Sequence, residues 1–159
     1  MRVVIQRTSQ AKVSVGNKIL AEIRTGLLVL VGIHKEDTRV DAEYLAHKVP
    51  KLRVFEDSAG KMNLDVSQIG GSILIVPNFT LYGDCGRGSR PGFDAAAPPG
   101  QARPLFEYFV ERVRSSNVDV QLGLFQAHME VSLVNDGPVT LVIDAPHAPT
   151  DAVRQRAIY

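Results

Sequence analysis

The chain carries short apolar runs separated by turn-forming residues, a pattern typical of β-strands joined by tight turns. In "RVVIQRTSQAKVSVGNKILAEI" two such runs flank the turn formers Gly16-Asn17, and "GLLVLVGI" is a continuous apolar run short enough to be a buried strand. Turns are also expected at Ser58-Ala59-Gly60 and at Gly70-Gly71. The segments that predict the later strands are LRVFED, SILIVPNFTLY, VDVQLG, MEVSLV and VTLVID.

Two segments have the three-to-four-residue apolar spacing of amphipathic helices. The first spans about residues 38–49, with Asp37 or Thr38 available as N-cap, and the second spans about residues 101–116. The apolar positions expected on one face are Val40, Tyr44, Leu45 and Val49 in the first helix and Leu105, Phe109 and Val113 in the second. Because strands and helices do not alternate regularly, we predict an α+β fold with a largely antiparallel sheet and two main helices.

Composition is that of an ordinary globular protein. The 159 residues, 45% hydrophobic and 22% charged, suffice for one domain with a sizeable core, which we assign to residues 1–145. Residues 146–159 are first Pro-rich and then polar, and we expect a mobile tail there. No run of about 18 apolar residues predicts a membrane span, the N-terminus lacks the apolar core of a signal peptide, and the single Cys85 cannot form an internal disulfide. We therefore expect a cytoplasmic protein with no membrane partner.

Charge and local motifs narrow the possible chemistry. The formal net charge of +1 argues against a broad grip on a nucleic-acid backbone, but it is compatible with contact to the end of an RNA. The four histidines lie in no metal-binding spacing and no G-x-S-x-G motif is present, so we expect neither a metal site nor a standard serine hydrolase. The glycine-rich segment 83–100 is either a mobile surface loop or a loop whose Arg87 and Arg90 contact phosphates. Thr80, just before this loop, is either a polar strand end or part of a site.

The segment "SLVNDGPVTLVID" combines a turn signal with a residue that opposes strand pairing. Asp-Gly is a familiar hairpin signal between two apolar runs. Pro138 removes a backbone donor where the return strand should begin to pair. The residues alone leave two alternatives: an ordinary trans turn, or a Gly137-Pro138 dipeptide presented to something else.

Taken in order, the segments of this chain resemble the D-aminoacyl-tRNA deacylase family, also known as D-tyrosyl-tRNA deacylases. The matching stretches are VVIQR, GLLVLVGI, LRVFED with GKMNLDV, FTLYGD with RPGF, AAAPP, and MEVSLVNDGPVTL. They run from residue 2 to about residue 144. The pair FTL and NDGPVT is specific when it occurs in this order and spacing.

The resemblance implies an enzyme that hydrolyses the ester between a D-amino acid and the terminal ribose of tRNA, without a cofactor. It implies a single α+β domain with a barrel-like sheet, and a homodimer in which Gly137-Pro138, with a cis bond, reaches into the partner's active site. Backbone carbonyls of this dipeptide would then collide with an L side chain and spare a D side chain. Since a clash cannot reject a substrate that has no side chain, we also expect hydrolysis of glycyl-tRNA.

The resemblance also assigns roles to individual residues. The family motif places the catalytic centre at Pro77, Asn78, Phe79 and Thr80, where backbone N–H groups near Phe79 and Thr80 could stabilise an oxyanion. Thr80 is one candidate nucleophile; assistance by the ribose 2′-OH is the other, and we favour it because no base is evidently placed to activate Thr80. By position, Ala102 lines the amino-acid site, and Phe125 and Met129 lie near the terminal adenine. Phe125 is equally compatible with a core position.

The chain departs from the family pattern at several of these positions. Pro77-Asn78 stands where the family usually has Ser-Gln, so a hydroxyl and an N–H are lost at 77 and the amide at 78 is shorter by one methylene. Leu124 replaces a usual arginine and His128 a usual aspartate. These changes keep alternatives open: a deacylase with relaxed chirality, a non-catalytic module that binds the tRNA 3′ end, or, more remotely, an esterase for small acyl substrates.

Overall fold

The computed structural model of the chain describes residues 1–86 and 88–146. Arg87 and nearly all of the expected tail therefore lie outside the described residues. The described residues form eight strands: β1 (Arg2–Val15), β2 (Lys18–Ile23), β3 (Gly26–Gly32), β4 (Phe55–Glu56), β5 (Met62–Leu64), β6 (Ser72–Pro77), β7 (Asp119–Leu122) and β8 (Glu130–Asp144). The helices are α1 (Arg39–Lys48) and α2 (Pro99–Arg114), with short 3₁₀ helices at Val49–Lys51 and Phe79–Tyr82.

Six strands form one mixed sheet around β1. The strand order is β2-β1-β3-β6-β7, and β8 pairs with β1 along its other edge. The pairs of β1 with β2, β3 and β8 are antiparallel, whereas β3–β6 and β6–β7 are parallel. Because β2 also contacts β6 and β7, the sheet curls toward a barrel. The predicted α+β class with two main helices is confirmed, with two parallel pairs that the pattern did not reveal.

The sheet buries apolar side chains on both faces, which explains the continuous apolar run of β3. Leu27 and Val29 face the helices, in one cluster with Phe109 of α2. Leu28 points to the opposite face, where it packs with Leu74 and other residues of the curled sheet. Alternating side chains of one strand thus enter two cores, as period-two geometry requires.

The helices form close to their predicted positions, but the face of α1 is shifted. Thr38 and Asp41 form a capping box, which fixes the start of the helix. The buried residues of α1 are Asp41, Ala42, Leu45 and Ala46, and those of α2 are Ala102, Phe106, Phe109, Val110 and Val113. The expectation that Val40 lies on the buried face is wrong: its side chain is 40% exposed, because α1 buries its own small residues Ala42 and Ala46 instead.

Four of the predicted strands differ from the structure. Within LRVFED only Phe55–Glu56 is strand, paired with Met62–Leu64 across the expected turn. The apolar run after β6 becomes the 3₁₀ helix Phe79–Tyr82, because the chain turns after Pro77. The last two predicted strands are one strand, β8. No helix in the described part of the chain is long and apolar enough to cross a membrane.

Candidate active site

A tight turn at the end of β6 forms the centre of the candidate site. Pro77, the last residue of β6, lies beside Val31 in the parallel ladder, and the next N–H, that of Asn78, donates to the Val31 carbonyl at 2.8 Å. The chain then enters the 3₁₀ helix directly above β3. A Cβ on Gly32 would lie 3.0 Å from the Leu81 Cβ, so glycine lets the turn pack closely on the strand.

The Asn78 side chain closes this turn. Its Oδ1 accepts from the Thr80 N–H at 3.1 Å and from the Thr80 hydroxyl at 2.5 Å, while the Asn78 carbonyl accepts from the Leu81 N–H at 3.4 Å. The N–H of Phe79, a residue that is 58% exposed, has no partner among the described residues. The expectation of two backbone donors is therefore corrected: the Thr80 N–H is occupied, and that of Phe79 is open.

A cavity of about 890 Å³ lies against this turn. It brings together seven of the nine site residues that the family resemblance singled out: Pro77, Asn78, Phe79, Thr80, Ala102, Phe125 and Met129. Its other walls include Phe93, which packs edge-on against Phe79 with ring centroids 5.1 Å apart, and the small residues Ala96, Ala97 and Pro98. The cavity has room for an aminoacyl group and part of a nucleoside.

The side chains of the cavity wall offer little acid–base chemistry. His128 is the one titratable residue among the described residues that line it. Tyr82, in the same 3₁₀ helix, has its pKa raised far above the ordinary value, chiefly by burial and further by the charges of Asp37 and Asp144. Its phenol therefore stays neutral. The arrangement favours chemistry by placed hydrogen-bond donors and by the substrate's own groups over side-chain catalysis.

The opposite wall carries an aromatic ring backed by a cation. Phe125 is partly buried and packs against Phe106 with ring centroids 5.8 Å apart. The guanidinium of Arg103 lies 4.7 Å from the Phe125 ring centre and donates to Gln126 Oε1 at 3.0 Å. Phe125 thus combines both earlier interpretations, since it packs on the core and lines the cavity. Arg103 was not predicted; an exposed arginine in the second turn of a helix is too common to have drawn attention.

The Gly137-Pro138 dipeptide is held in a bulge of β8. Residues 130–135 and 140–144 both pair with β1, and the single residue Arg7 faces the four residues between them. The hairpin that Asp-Gly alone would indicate is not formed, because the chain keeps its direction after the bulge. Asn135 closes the base of the bulge: its Oδ1 accepts from the Val139 N–H at 2.7 Å, and its Nδ2 donates to the Val139 carbonyl at 3.2 Å.

Arg7 anchors this bulge by hydrogen bonds from its buried guanidinium. Its Nε donates to the Asp136 carbonyl at 2.8 Å and its Nη1 donates to the Val54 carbonyl at 2.7 Å. The Gly137-Pro138 bond is cis, and Gly137 has φ of +142°. Arg7 was missed, although a signal existed: the alternation that buries Val3 and Ile5 also points residue 7 inward.

The exposed dipeptide is separate from the cavity of its own chain. Neither Gly137 nor Pro138 is among the described residues that line the cavity, and both are exposed. Arg90, the described member of the pair expected to meet phosphates, is likewise exposed and does not line it. Within one chain, seven of the predicted site residues therefore meet and two point elsewhere.

Comparisons with known proteins agree on one family. A family model described as D-Tyr-tRNA(Tyr) deacylase matches residues 4–144. The D-aminoacyl-tRNA deacylase of Solibacter usitatus is 61% identical over 145 residues, covering 91% of this chain and 96% of that protein. A solved structure described as a c-Myc DNA unwinding element binding protein has a TM-score of 0.86 and 37% identity, over 92% of this chain and 99% of its own. A probable eukaryotic D-amino acid tRNA deacylase shares the fold, with a TM-score of 0.77 and 19% identity. The match covers 90% of this chain and 98% of that chain.

Proposed function

Because the chain belongs to the D-Tyr-tRNA(Tyr) deacylase family, we propose that it hydrolyses the ester bond of D-aminoacyl-tRNA in the cytoplasm, releasing the D-amino acid and the tRNA. The observation that carries this proposal is the cavity beside Phe79, where the described residues offer an unpaired backbone donor and almost no ionisable side chains. An aminoacyl ester is already activated, so an oriented donor and an attacking water meet most of its needs.

The chemistry follows from the hydrogen bonds of the turn. The ester carbonyl oxygen accepts from the Phe79 N–H, which stabilises the negative charge that develops as water adds to the carbonyl carbon. The bond to the ribose 3′-oxygen then breaks, and the proton that the attacking water gives up passes through the neighbouring 2′-OH to this oxygen, so that it leaves as a hydroxyl. Thr80 takes no covalent part, since its hydroxyl donates to the Asn78 amide oxygen, which is too weak a base to remove the proton. We expect Thr80→Ala to keep most of the rate; a loss of several orders of magnitude would assign the nucleophile to Thr80.

Rejection of L-amino acids is assigned to Gly137-Pro138 of a second subunit. The dipeptide is exposed, follows a residue whose carbonyl Arg7 holds, and is not among the described residues that line the cavity of its own chain. In a homodimer it would line the partner's cavity, where its backbone meets an L side chain and leaves a D side chain free. This exclusion uses only main-chain atoms, so it is indifferent to which amino acid is attached. It also leaves glycyl-tRNA a substrate, because glycine has no side chain to clash.

The first experiment compares deacylation of D-tyrosyl-, L-tyrosyl- and glycyl-tRNA by the purified protein. We expect rapid hydrolysis of the D and glycyl esters with the L ester spared. Gly137→Ala/Pro138→Ala should hydrolyse the L ester as well. The matched control is Gly16→Ala/Asn17→Ala, which alters another exposed turn with a positive-φ glycine and should keep the selectivity. Hydrolysis of all three esters by the unaltered protein would indicate relaxed chirality, and binding without hydrolysis would favour an RNA-end binding module.

The assignment to a second subunit has a separate test. Ala127→Trp should fill the cavity while leaving the bulge intact, and the Gly137→Ala/Pro138→Ala variant has the opposite defect. The first variant should be inactive and the second unselective. When the two proteins are mixed and exchange subunits, one site of each mixed dimer combines the intact cavity of the second variant with the intact dipeptide of the first. Recovery of D-selective hydrolysis in the mixture supports the cross-subunit site. No recovery, despite proven exchange, would mean that each chain uses its own dipeptide.

A further inference from the structure

We propose that Asn78 is a positioning residue, which holds the turn so that the Phe79 N–H is the donor left to the substrate. The inference rests on the proposed function and deepens it. It starts from the first three N–H groups of the 3₁₀ helix Phe79–Tyr82, which have no partner within the helix. Asn78 takes the second with its side chain and the third with its carbonyl, and the first, on a residue that lines the cavity, has no partner among the described residues.

The orientation of the Asn78 amide is fixed by its partners. The Thr80 N–H can only donate, so the atom 3.1 Å away must be the amide oxygen and not the nitrogen. The Thr80 hydroxyl adds a second donor to the same oxygen at 2.5 Å. Two bonds to one acceptor restrict both the side-chain rotamer of Asn78 and the backbone that follows it. The peptide unit between Asn78 and Phe79 lies inside this closed ring, so the direction of the Phe79 N–H is set with it.

The length of the side chain matters for this contact. An asparagine oxygen reaches the N–H two residues ahead in a closed turn, and serine or aspartate does the same. Glutamine places its oxygen one methylene farther out and does not favour this local ring. At position 78, asparagine therefore orders the turn through a local contact, whereas glutamine would leave the turn to be ordered by other contacts.

The same reasoning explains why Pro77 is compatible with an ordered site. Proline fixes φ at the last position of β6, where the ladder to Val31 ends, and the next N–H is bonded to Val31. The backbone is thus restrained before the turn by Pro77 and within it by Asn78. Compared with a Ser-Gln pair, the Pro77-Asn78 pair lacks the hydroxyl and has a shorter amide side chain. In return, both residues restrain the main chain that carries the Phe79 N–H.

The test compares three substitutions at position 78 with the unaltered protein and with Asn17→Ala, a control at an exposed turn asparagine. Turnover is measured with D-tyrosyl-tRNA, and binding with the non-hydrolysable 3′-amide analogue of D-tyrosyl-adenosine. We expect Asn78→Ala and Asn78→Gln to lower kcat about tenfold, with analogue affinity within about twofold and an unchanged number of binding sites per chain. Asn78→Ser, which can re-form the turn, should recover turnover to within about threefold of the unaltered protein.

The outcomes separate this role from the alternatives. Full turnover by Asn78→Ala or Asn78→Gln, with an active unaltered protein, would overturn the positioning role and leave the proposed function intact. A loss of binding sites in proportion to the loss of rate would also overturn it, because a smaller folded fraction would then explain the effect. Failure of the unaltered protein to hydrolyse any aminoacyl ester would instead overturn the proposed function itself.

Discussion

Replacing Arg7 with methionine tests whether the bulge of β8 must be held in place for chirality to be enforced. Methionine keeps most of the length and apolar packing of the buried arginine stem and removes the charge and all five donors. The side chain of Arg7 is only 6% exposed, and its two strong contacts are to the carbonyls of Asp136 and Val54. The change therefore removes the anchor of the bulge while the pairing of β1 and β8 on both sides remains.

The expected magnitude follows from these two bonds. A hydrogen bond from a charged donor contributes about 1.5–3 kcal/mol net. In the variant, the carbonyl of exposed Asp136 can turn to water, whereas Val54 is buried and its carbonyl stays poorly solvated. Relief of the buried charge offsets part of the loss. We estimate that the anchored bulge loses about 2–3 kcal/mol relative to released conformations, a factor of roughly 30 to 150 in their ratio.

The assay is the ratio of D-tyrosyl- to L-tyrosyl-tRNA hydrolysis, measured beside Arg24→Met, the same substitution at an exposed arginine. We expect Arg7→Met to lower this ratio at least tenfold, mainly through faster hydrolysis of the L ester. Amide hydrogen exchange should become faster at Asp136 and Val139 but not in the paired parts of β8. An unchanged ratio in a variant whose bulge exchanges rapidly would refute the link between anchoring and chirality.

Four further outcomes follow from single contacts. Gly137→Ala should lose selectivity, because its Cβ would lie 2.7 Å from Val139 Cγ2 at a φ of +142°; the D-to-L rate ratio measures this. Asn135→Ala removes the amide that closes the base of the bulge and should lower the free energy of unfolding by about 1–3 kcal/mol in urea titrations. Arg103→Ala should reduce the slope of log affinity for tRNA against log salt by about 0.7 if it meets one phosphate of the single-stranded end. Tyr82→Phe should leave the pH profile of hydrolysis unchanged between pH 7 and 10, since burial raises the pKa of that phenol and keeps it neutral there.

The elements that sequence predicts well here are those whose signal is local and periodic. The alternation in β1, the apolar run of β3 and the spacing of Phe109 and Val113 in α2 all match the structure. The residues alone left the structure at the bulge undecided for a physical reason. Asp-Gly-Pro indicates that the strand is interrupted, but whether the chain turns back or continues depends on the partner strand, and that partner, β1, is over 120 residues away in sequence.

In the candidate site, too, sequence identified the residues but not the contacts that the fold creates between them. Family resemblance identified seven residues that meet at the cavity, yet it did not reveal which backbone donor is occupied. That depends on a side-chain contact of Asn78 with a residue two positions ahead, in a chain that differs from the usual pattern at this position. Arg7 could have been suspected, because a charged residue on the inward face of a strand needs partners. The identity of those partners, two carbonyls from other segments, depends on the tertiary fold.

The groups proposed to act on the substrate are backbone groups, and this determines where substitutions should matter. The Phe79 N–H and the Gly137-Pro138 main chain cannot be removed by changing a side chain, but side chains hold them: Asn78 in the first case, Arg7 and Asn135 in the second. Other cavity-lining side chains such as Thr80 should therefore tolerate substitution better than the side chains that hold the main chain, none of which need touch the substrate's side chain. An enzyme that must accept many amino acids gains from this arrangement, because main-chain geometry discriminates configuration without testing side-chain identity.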